Sequence, residues 1–179
     1  MSARIGLLGL GSNLGQRRAH LQAAVDGLPD LGVRVLGCSS AYDTDPVGEI
    51  RDQPNFLNAC VRVETDLEPL ELLDEAKRLE RDLGRGDGIR HGPRALDIDI
   101  LLLGELELRD ERMSLPHAEL LRRRFVLIPA LELDFELRTP AGVRLSDALA
   151  ALPPEEGVRW AGPPLHVPER NQALRSPSS

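Results

Sequence analysis

Two aspartates, Asp97 and Asp99, open the short and strongly apolar run Leu96-Asp97-Ile98-Asp99-Ile100-Leu101-Leu102-Leu103. Residues two apart on a β-strand share a face, so the two carboxylates project together while Ile98, Ile100 and Leu102 take the opposite face and enter a core. Paired carboxylates at the start of a buried strand repel each other and lose hydration unless a cation lies between them. A hard divalent ion answers that need, and Mg²⁺ commonly takes one or two carboxylates together with substrate phosphates. Solvated carboxylates at a strand end account for an isolated D-x-D equally well, so the neighbouring residues decide.

Those neighbours are cationic. Arg78, Arg81, Arg85, Arg90 and Arg94 precede the pair, and Arg94 stands three residues before Asp97, just after a Gly92-Pro93 bend. Arginine at a helix C-terminus explains Arg78 and Arg81 but explains Arg90 and Arg94 poorly. Guanidinium forks clamping a polyphosphate whose Mg²⁺ the carboxylates hold explain all of them. A second cluster, Arg122-Arg123-Arg124, follows Pro116-His117 and adjoins Phe125. A charge run is usually a solvated face, and a lone Phe is usually core, with a stacking platform as its functional alternative. The turn Gly9-Leu10-Gly11-Ser12-Asn13-Leu14-Gly15 lacks the Gly-Lys-Ser/Thr of a P-loop and breaks the G-x-G-x-x-G pattern at its last position, so it reads as a tight strand-to-helix turn. No Ser-His-acid set or reactive Cys stands out. That favours positioning and electrostatics around bound phosphates over covalent catalysis.

A chain of 179 residues, 41% hydrophobic and 28% charged, suits one globular domain. Its 29 acidic against 22 basic residues, net −7, argue against a nucleic-acid coat or an anionic-membrane binder. Every cation but Lys77 is arginine, the side chain that grips phosphate with a planar fork of donors. No run approaches the roughly 18 apolar residues of a membrane span, and the N-terminal stretch has no signal-peptide pattern. Cys38 and Cys60 match no metal or redox spacing. They read as buried free thiols, with a reducing, cytoplasmic setting.

These residues must be positioned by a small set of elements. Strands are predicted over Arg4–Leu10, Val33–Tyr42, Phe56–Val63 and Leu96–Leu103. One helix runs from about Gln16 to Leu28, with Leu21, Ala24, Val25 and Leu28 at helical spacing, and Pro29 and Gly32 end it. A second is opened by Pro69, carries the stripe Leu70, Leu73, Ala76, Leu79 and Leu83, and stops at Gly84. Thr44–Pro54 and Gly84–Pro93 are long connecting loops. Short helices are predicted around Glu119–Arg123, Pro129–Leu133 and Leu145–Leu152. Residues 1–162 form the single domain, and 163–179 a loosely structured tail. The order suits an α+β, ferredoxin-like (split βαβ) sandwich, an antiparallel or mixed sheet with helices packed on it. A doubly wound parallel sheet is the alternative.

With these residues assembled, the chain resembles the 6-hydroxymethyl-7,8-dihydropterin pyrophosphokinase family. The resemblance rests on His91-Gly-Pro-Arg-Ala-Leu-Asp-Ile-Asp-Ile-Leu, on Gly11-Ser12-Asn13-Leu14, on Asp52-Gln53-Pro54-Asn55-Phe56-Leu57-Asn58, and on Pro116-His117 ahead of Arg123 and Phe125. It runs from about Ile5 to Trp160. It implies a monomeric enzyme moving a pyrophosphoryl group from ATP to the pterin's hydroxymethyl oxygen and leaving AMP. It further implies two Mg²⁺ ions on Asp97 and Asp99, and phosphate clamps at Arg85 and Arg94. Glu80, Arg90, Arg94, Ile100, Arg112, Ser114, His117 and Arg123 would form the ATP site. Phe56 and Phe125 would stack on the pterin, with Asn58 at its polar edge and the backbone of Thr44 to Val47, Pro46 included, helping. In this chain His91 replaces a bulky aromatic and Phe56 a tyrosine.

Two other readings of the residues stand beside it. A ferredoxin-like nucleic-acid module would need a basic groove with interleaved aromatics, which net −7 and three Phe, one Tyr and one Trp oppose. A metal-dependent phosphohydrolase would use the same carboxylates with water as acceptor.

Overall fold

The structure is a computed structural model and describes residues 2–46, 52–84, 95–154 and 157–172. Strand β1 (Arg4–Ser12) leads into helix α1 (Arg17–Gly27), and β2 (Val33–Cys38) and β3 (Ala41–Thr44) follow. Then come β4 (Phe56–Thr65), α2 (Pro69–Asp82) and β5 (Asp97–Leu103). A small hairpin of β6 (Leu108–Arg109) and β7 (Ser114–Leu115), helices α3 (Arg124–Leu133) and α4 (Leu145–Ala151), and β8 (Val158–Gly162) complete the order.

The six-stranded main sheet runs β5-β1-β4-β3-β8, and β2 pairs β4 beyond the end of β3. Every pairing is antiparallel. The parallel alternative is thereby excluded, and β1-α1-β2 with β4-α2-β5 forms the split βαβ arrangement. Period-two alternation divides the sheet into two faces. Leu8, Leu10, Ala59, Val61, Ile98 and Ile100 share one buried cluster with Leu21, Ala24 and Val25 of α1 and Leu72, Ala76 and Leu79 of α2. On the other face Leu7, Cys60 and Leu101 are buried with Val126, Leu127 and Ala130 of α3 and Leu145 of α4. At the ends of β1, β4 and β5 that face carries Gly9, Gly11, Phe56, Asn58, Asp97 and Asp99 around an open cleft.

Several expected elements shift. The strand predicted over Val33–Tyr42 is two strands, because Ser39 and Ser40 divert their hydrogen bonds. Ser39 Oγ accepts from the Cys60 N–H at 2.9 Å, and Ser40 donates from its N–H (2.9 Å) and its Oγ (2.6 Å) to Glu132 of α3. No helix forms at Glu119–Arg123, which is a run of turns, while α3 begins at Arg124 and continues through Pro129. An internal proline removes only one donor, and the helix is held by its apolar face against the sheet. The β6–β7 hairpin and β8 were not expected. Residues 163–172, expected to be loose, lie against the domain. Leu165 is 3% exposed within the α1/α2 core, Gln22 and His166 exchange two hydrogen bonds, and the Asn171 side chain bonds both the N–H and the C=O of Val35. Among the described residues no helix is long and apolar enough to cross a membrane.

Candidate active site

Glycine makes the floor of the cleft possible. Gly11 of β1 pairs with Asn58 on β4 and with Asp97 on β5, and Gly9 pairs with Cys60 and with Asp99. A Cβ at Gly11 would stand 2.8 Å from Asn58 Oδ1 and 3.6 Å from a ring carbon of Phe56. Glycine within a strand often marks such a close approach. The resulting cavity, about 150 Å³, is lined by Thr44, Phe56, Asn58, Asp97, Arg123 and Phe125 around this floor. Asn58 Nδ2 donates to Thr44 Oγ1 at 2.6 Å, which fixes the amide's rotamer. The Arg123 guanidinium lies over the Phe125 ring, 5.5 Å from its centroid.

A second cavity, about 360 Å³, opens at the outer edge of β5. Leu73 and Lys77 of α2, Ile98 to Ile100, the β6–β7 turn with Arg112 and Ser114, and His117 form its walls. Asp99 lines both cavities. Beneath them Glu80 is fully buried, accepting from the Ile98 N–H at 2.8 Å and from Lys77 Nζ at 3.1 Å. Opposite Leu101 the β1–β5 register slips by one residue, and the Leu101 carbonyl accepts the His117 N–H at 3.0 Å. Such a bulge re-aims what it carries, and here it sets His117 Nε2 at 3.9 Å from Asp99 Oδ1. His117 Nδ1 accepts from the Glu119 N–H at 3.1 Å. Burial and the nearby Arg123 hold the imidazole below its ordinary pKa, so the neutral ring carries its proton on Nε2.

Burial, and secondarily the Asp97 charge, push the Asp99 carboxyl up to about 7. Two carboxylates sharing one desolvated face are electrostatically frustrated, which a divalent cation relieves. Among the described residues no group of three or more His, Cys, Asp or Glu side chains is placed to hold a metal. The two carboxylates Asp97 and Asp99, hard oxygen donors on one wall, suit an ion whose remaining positions phosphate and water fill, the habit of Mg²⁺.

The structure thus brings together Thr44, Phe56, Asn58, Asp97, Asp99, Arg123 and Phe125 around one cavity, and Ile100, Arg112, Ser114, His117 and Asp99 around the other. Glu80 lies under the cavities and not in their walls. Pro46 is half-buried beside Asp45. Arg85, Arg90, Arg94, Val47 and His91 lie outside the described residues. Sequence reasoning missed Gly9, Gly11 and Gln53 in the first wall and Lys77 and Met113 in the second, while Asp45 falls within the Thr44-to-Val47 backbone it expected there. For the two glycines the available clue was their spacing of two inside a strand.

The chain has relatives of known kind. The family model described as 7,8-dihydro-6-hydroxymethylpterin-pyrophosphokinase (HPPK) matches residues 7–135. The 2-amino-4-hydroxy-6-hydroxymethyldihydropteridine pyrophosphokinase of Pseudomonas aeruginosa is 43% identical over 154 residues, covering 86% of this chain and 94% of that protein. The enzyme of the same name from Bacillus subtilis is 39% identical over 156 residues, covering 87% and 89%. A mitochondrial folate synthesis bifunctional protein of Arabidopsis thaliana is 45% identical over 127 residues, 71% of this chain but 23% of that protein. The fold is shared with the crystal structure of an HPPK-DHPS protein in complex with substrates, at TM-score 0.68 and 12% identity over 84% of this chain and 43% of that one. Matched over most of its length by the family model and by whole bacterial relatives, the chain belongs to the HPPK family, the pyrophosphokinases of folate biosynthesis.

Proposed function

We propose that the two cavities are the acceptor and donor halves of one pyrophosphoryl-transfer site. The observation that carries this reading is that Asp99 lines both. The pterin would lie between the rings of Phe56 and Phe125, which suits a flat heterocycle. Asn58 and Thr44 would read its polar edge, with Pro46 and Val47 alongside, and its hydroxymethyl group would point toward Asp97 and Asp99. ATP would occupy the β5 edge, its nucleoside against Ile100, Arg112 and Ser114 and its phosphates running past His117 and Arg123 to the carboxylates. Arg85, Arg90 and Arg94 would clamp those phosphates. Glu80 would act from below by fixing the backbone at Ile98.

In the reaction the hydroxymethyl oxygen attacks the β-phosphorus and gives up its proton to solvent water, the bond from that phosphorus to the α–β bridging oxygen breaks, and AMP leaves. The chain's task is alignment and charge compensation, as in phosphoryl transfer generally. His117 donates from Nε2, and Arg123 adds fixed positive charge beside the acceptor. Asp97 and Asp99 would hold two Mg²⁺ ions, which when bound neutralise charge along the triphosphate. The chain is read as a monomer, and the free Cys38 and Cys60 support a reducing, cytoplasmic setting.

Product analysis is the test. Protein, Mg²⁺, ATP and 6-hydroxymethyl-7,8-dihydropterin should yield AMP and the pterin diphosphate, and Asp97→Ala should abolish both. ADP as product, or full activity in the variant, would overturn the reading.

A further inference from the structure

The acceptor cavity is closed at one end by the two stems of the segment joining β3 to β4. One stem is Asp43-Thr44-Asp45, and the other runs from Gln53 to Phe56. The β3–β4 ladder ends at the pair Thr44↔Phe56, so strand pairing does not hold the stems beyond that point. Arg17, the first residue of α1, reaches both. Its Nη1 donates to the Asn55 carbonyl at 3.0 Å, and its Nη2 donates to Asp43 Oδ2 at 3.0 Å. The Asn55 side chain is a further donor to Asp43, and together with Arg17 and Arg159 it holds that carboxyl below the usual range.

Asp43 alternates with Thr44 and so faces the α1 side of the sheet, away from the cleft. The two groups that Arg17 bonds, Asp43 and Asn55, are not themselves in the cavity wall. Arg17 grips the reverse of the strand whose next residue, Thr44, fixes Asn58. The Arg17 and Asp43 side chains are 30% and 27% exposed, half-buried, so solvent screens the pair less than a surface contact. Two neighbouring contacts work in the same direction. Arg159 of β8 bonds Asp45 Oδ1 at 2.9 Å, and Asn13 Nδ2 donates to Gln53 Oε1 at 2.9 Å and to the Pro54 carbonyl at 3.0 Å. Arg17 bonds both stems with one side chain.

From this geometry we propose that Arg17 is a positioning residue for the pterin half of the site, acting through Asp43 and Asn55 to set the separation of Thr44 from Phe56 and Asn58. The proposal rests on reading that cavity as the pterin pocket. Its signature is asymmetric, because no Arg17 contact leads to the β5-edge cavity. A planar fork is required to satisfy two acceptors at once, which a lysine ammonium on a single stem does not reproduce.

The test measures binding of 6-hydroxymethyl-7,8-dihydropterin by calorimetry in the presence of Mg²⁺ and a non-hydrolysable ATP analogue, together with the KM of each substrate. Arg17→Ala should weaken pterin binding about tenfold, the scale of one lost charge-assisted hydrogen bond, while the KM for ATP stays within about twofold. Arg17→Lys should recover only part of the loss. Asp43→Asn, which keeps the side chain's shape, should move the same constant in the same direction and stands in if Arg17→Ala does not fold. Equal losses for both substrates, or pterin binding unchanged in both Arg17→Ala and Asp43→Asn, would overturn the proposal. Asn58→Ala and Phe125→Ala are the controls on the pocket itself. If they too bind pterin like wild type, the pocket assignment fails, whereas if they lose binding and the Arg17 and Asp43 variants do not, only the positioning role fails.

Discussion

Asn58 of β4 and Asp97 of β5 are the two cross-strand partners of a single residue, Gly11 of β1. Their backbones are thus two strand spacings apart, roughly 9–10 Å, a separation fixed by the hydrogen-bond ladder and not by any flexible side chain. Gly11→Ala would put a methyl group 2.8 Å from Asn58 Oδ1, so the amide must turn away from its bond to Thr44. The expected outcome in steady-state kinetics is a pterin KM raised about tenfold, the cost of one mispositioned hydrogen-bonding group, with the KM for ATP little changed. Equal changes in both constants would contradict this division of the site.

Asp99 should trade stability for function. Its carboxyl is pushed up to about 7 by burial and by Asp97, so its ionised form is disfavoured in the fold. Asp99→Asn should melt at or above the wild-type temperature while kcat falls by roughly 10²–10³-fold, the scale of losing one preorganised electrostatic contact. Added Mg²⁺ should raise the melting temperature of wild type and leave the Asp97→Asn/Asp99→Asn double variant unmoved. Scanning fluorimetry paired with an AMP assay reads both. A variant that melts lower yet turns over normally would contradict the assignment.

Acid should weaken the β3 region first. Arg17 and Arg159 hold the Asp43 carboxyl below the ordinary range, and hydrogen bonds from Ser40 and Tyr42 do the same for Glu132. A depressed carboxyl contributes stability that is complete above its unfolded pKa, near 4, and is lost as pH falls through the folded value. The contribution of these two carboxyls should therefore be constant from pH 7 to about 5 and decline below 4. Asp99→Asn, which removes the raised carboxyl that gains stability on protonation near pH 7, is the background in which to measure it. Glu132→Gln, which removes one of the two groups, should show a shallower decline.

Leu165 should behave as a core residue despite its place in a proline-rich C-terminal stretch. It is 3% exposed, and its N–H donates to the Ser39 carbonyl at 3.2 Å. Leu165→Ala should cost about 2–4 kcal/mol in denaturant unfolding, as large-to-small core changes do, whereas Val167→Ala, at a 44% exposed site, should cost little. Equal small effects would mean the segment is not part of the cooperative unit.

Part of the site could be read from local pattern. Period-two spacing put Asp97 and Asp99 on one face, whereas Phe56, Asn58, His117, Arg123 and Phe125 came from the family resemblance, since pattern alone favoured core or solvated roles for His117, Arg123 and Phe125. What escaped depends on partners distant in the chain. Ser39 and Ser40 look like ordinary strand residues until Ser39 Oγ takes the Cys60 N–H and Glu132, some ninety positions later, takes the bonds of Ser40. Gly9 and Gly11 read as a turn because a side-chain-free floor is visible only once Asn58 and Asp97 flank it. Pro129 resembles a helix start, yet the helix begins at Arg124 because its burial against the sheet offsets one missing bond. The short strand β8 and the anchors Leu165 and Asn171 show no periodicity, since single contacts without repetition hold them.

Asn171 has a consequence for how copies of this chain meet. A strand end at a sheet margin offers unpaired N–H and C=O groups, a template on which a neighbouring molecule can add its own strand and begin aggregation. Here one primary amide, with a donor and an acceptor side by side, engages both groups of Val35 on β2. It imitates the backbone of an absent strand and occupies that position without extending the sheet. Asn171 thus fills, at Val35, the two backbone positions that an added strand would otherwise use.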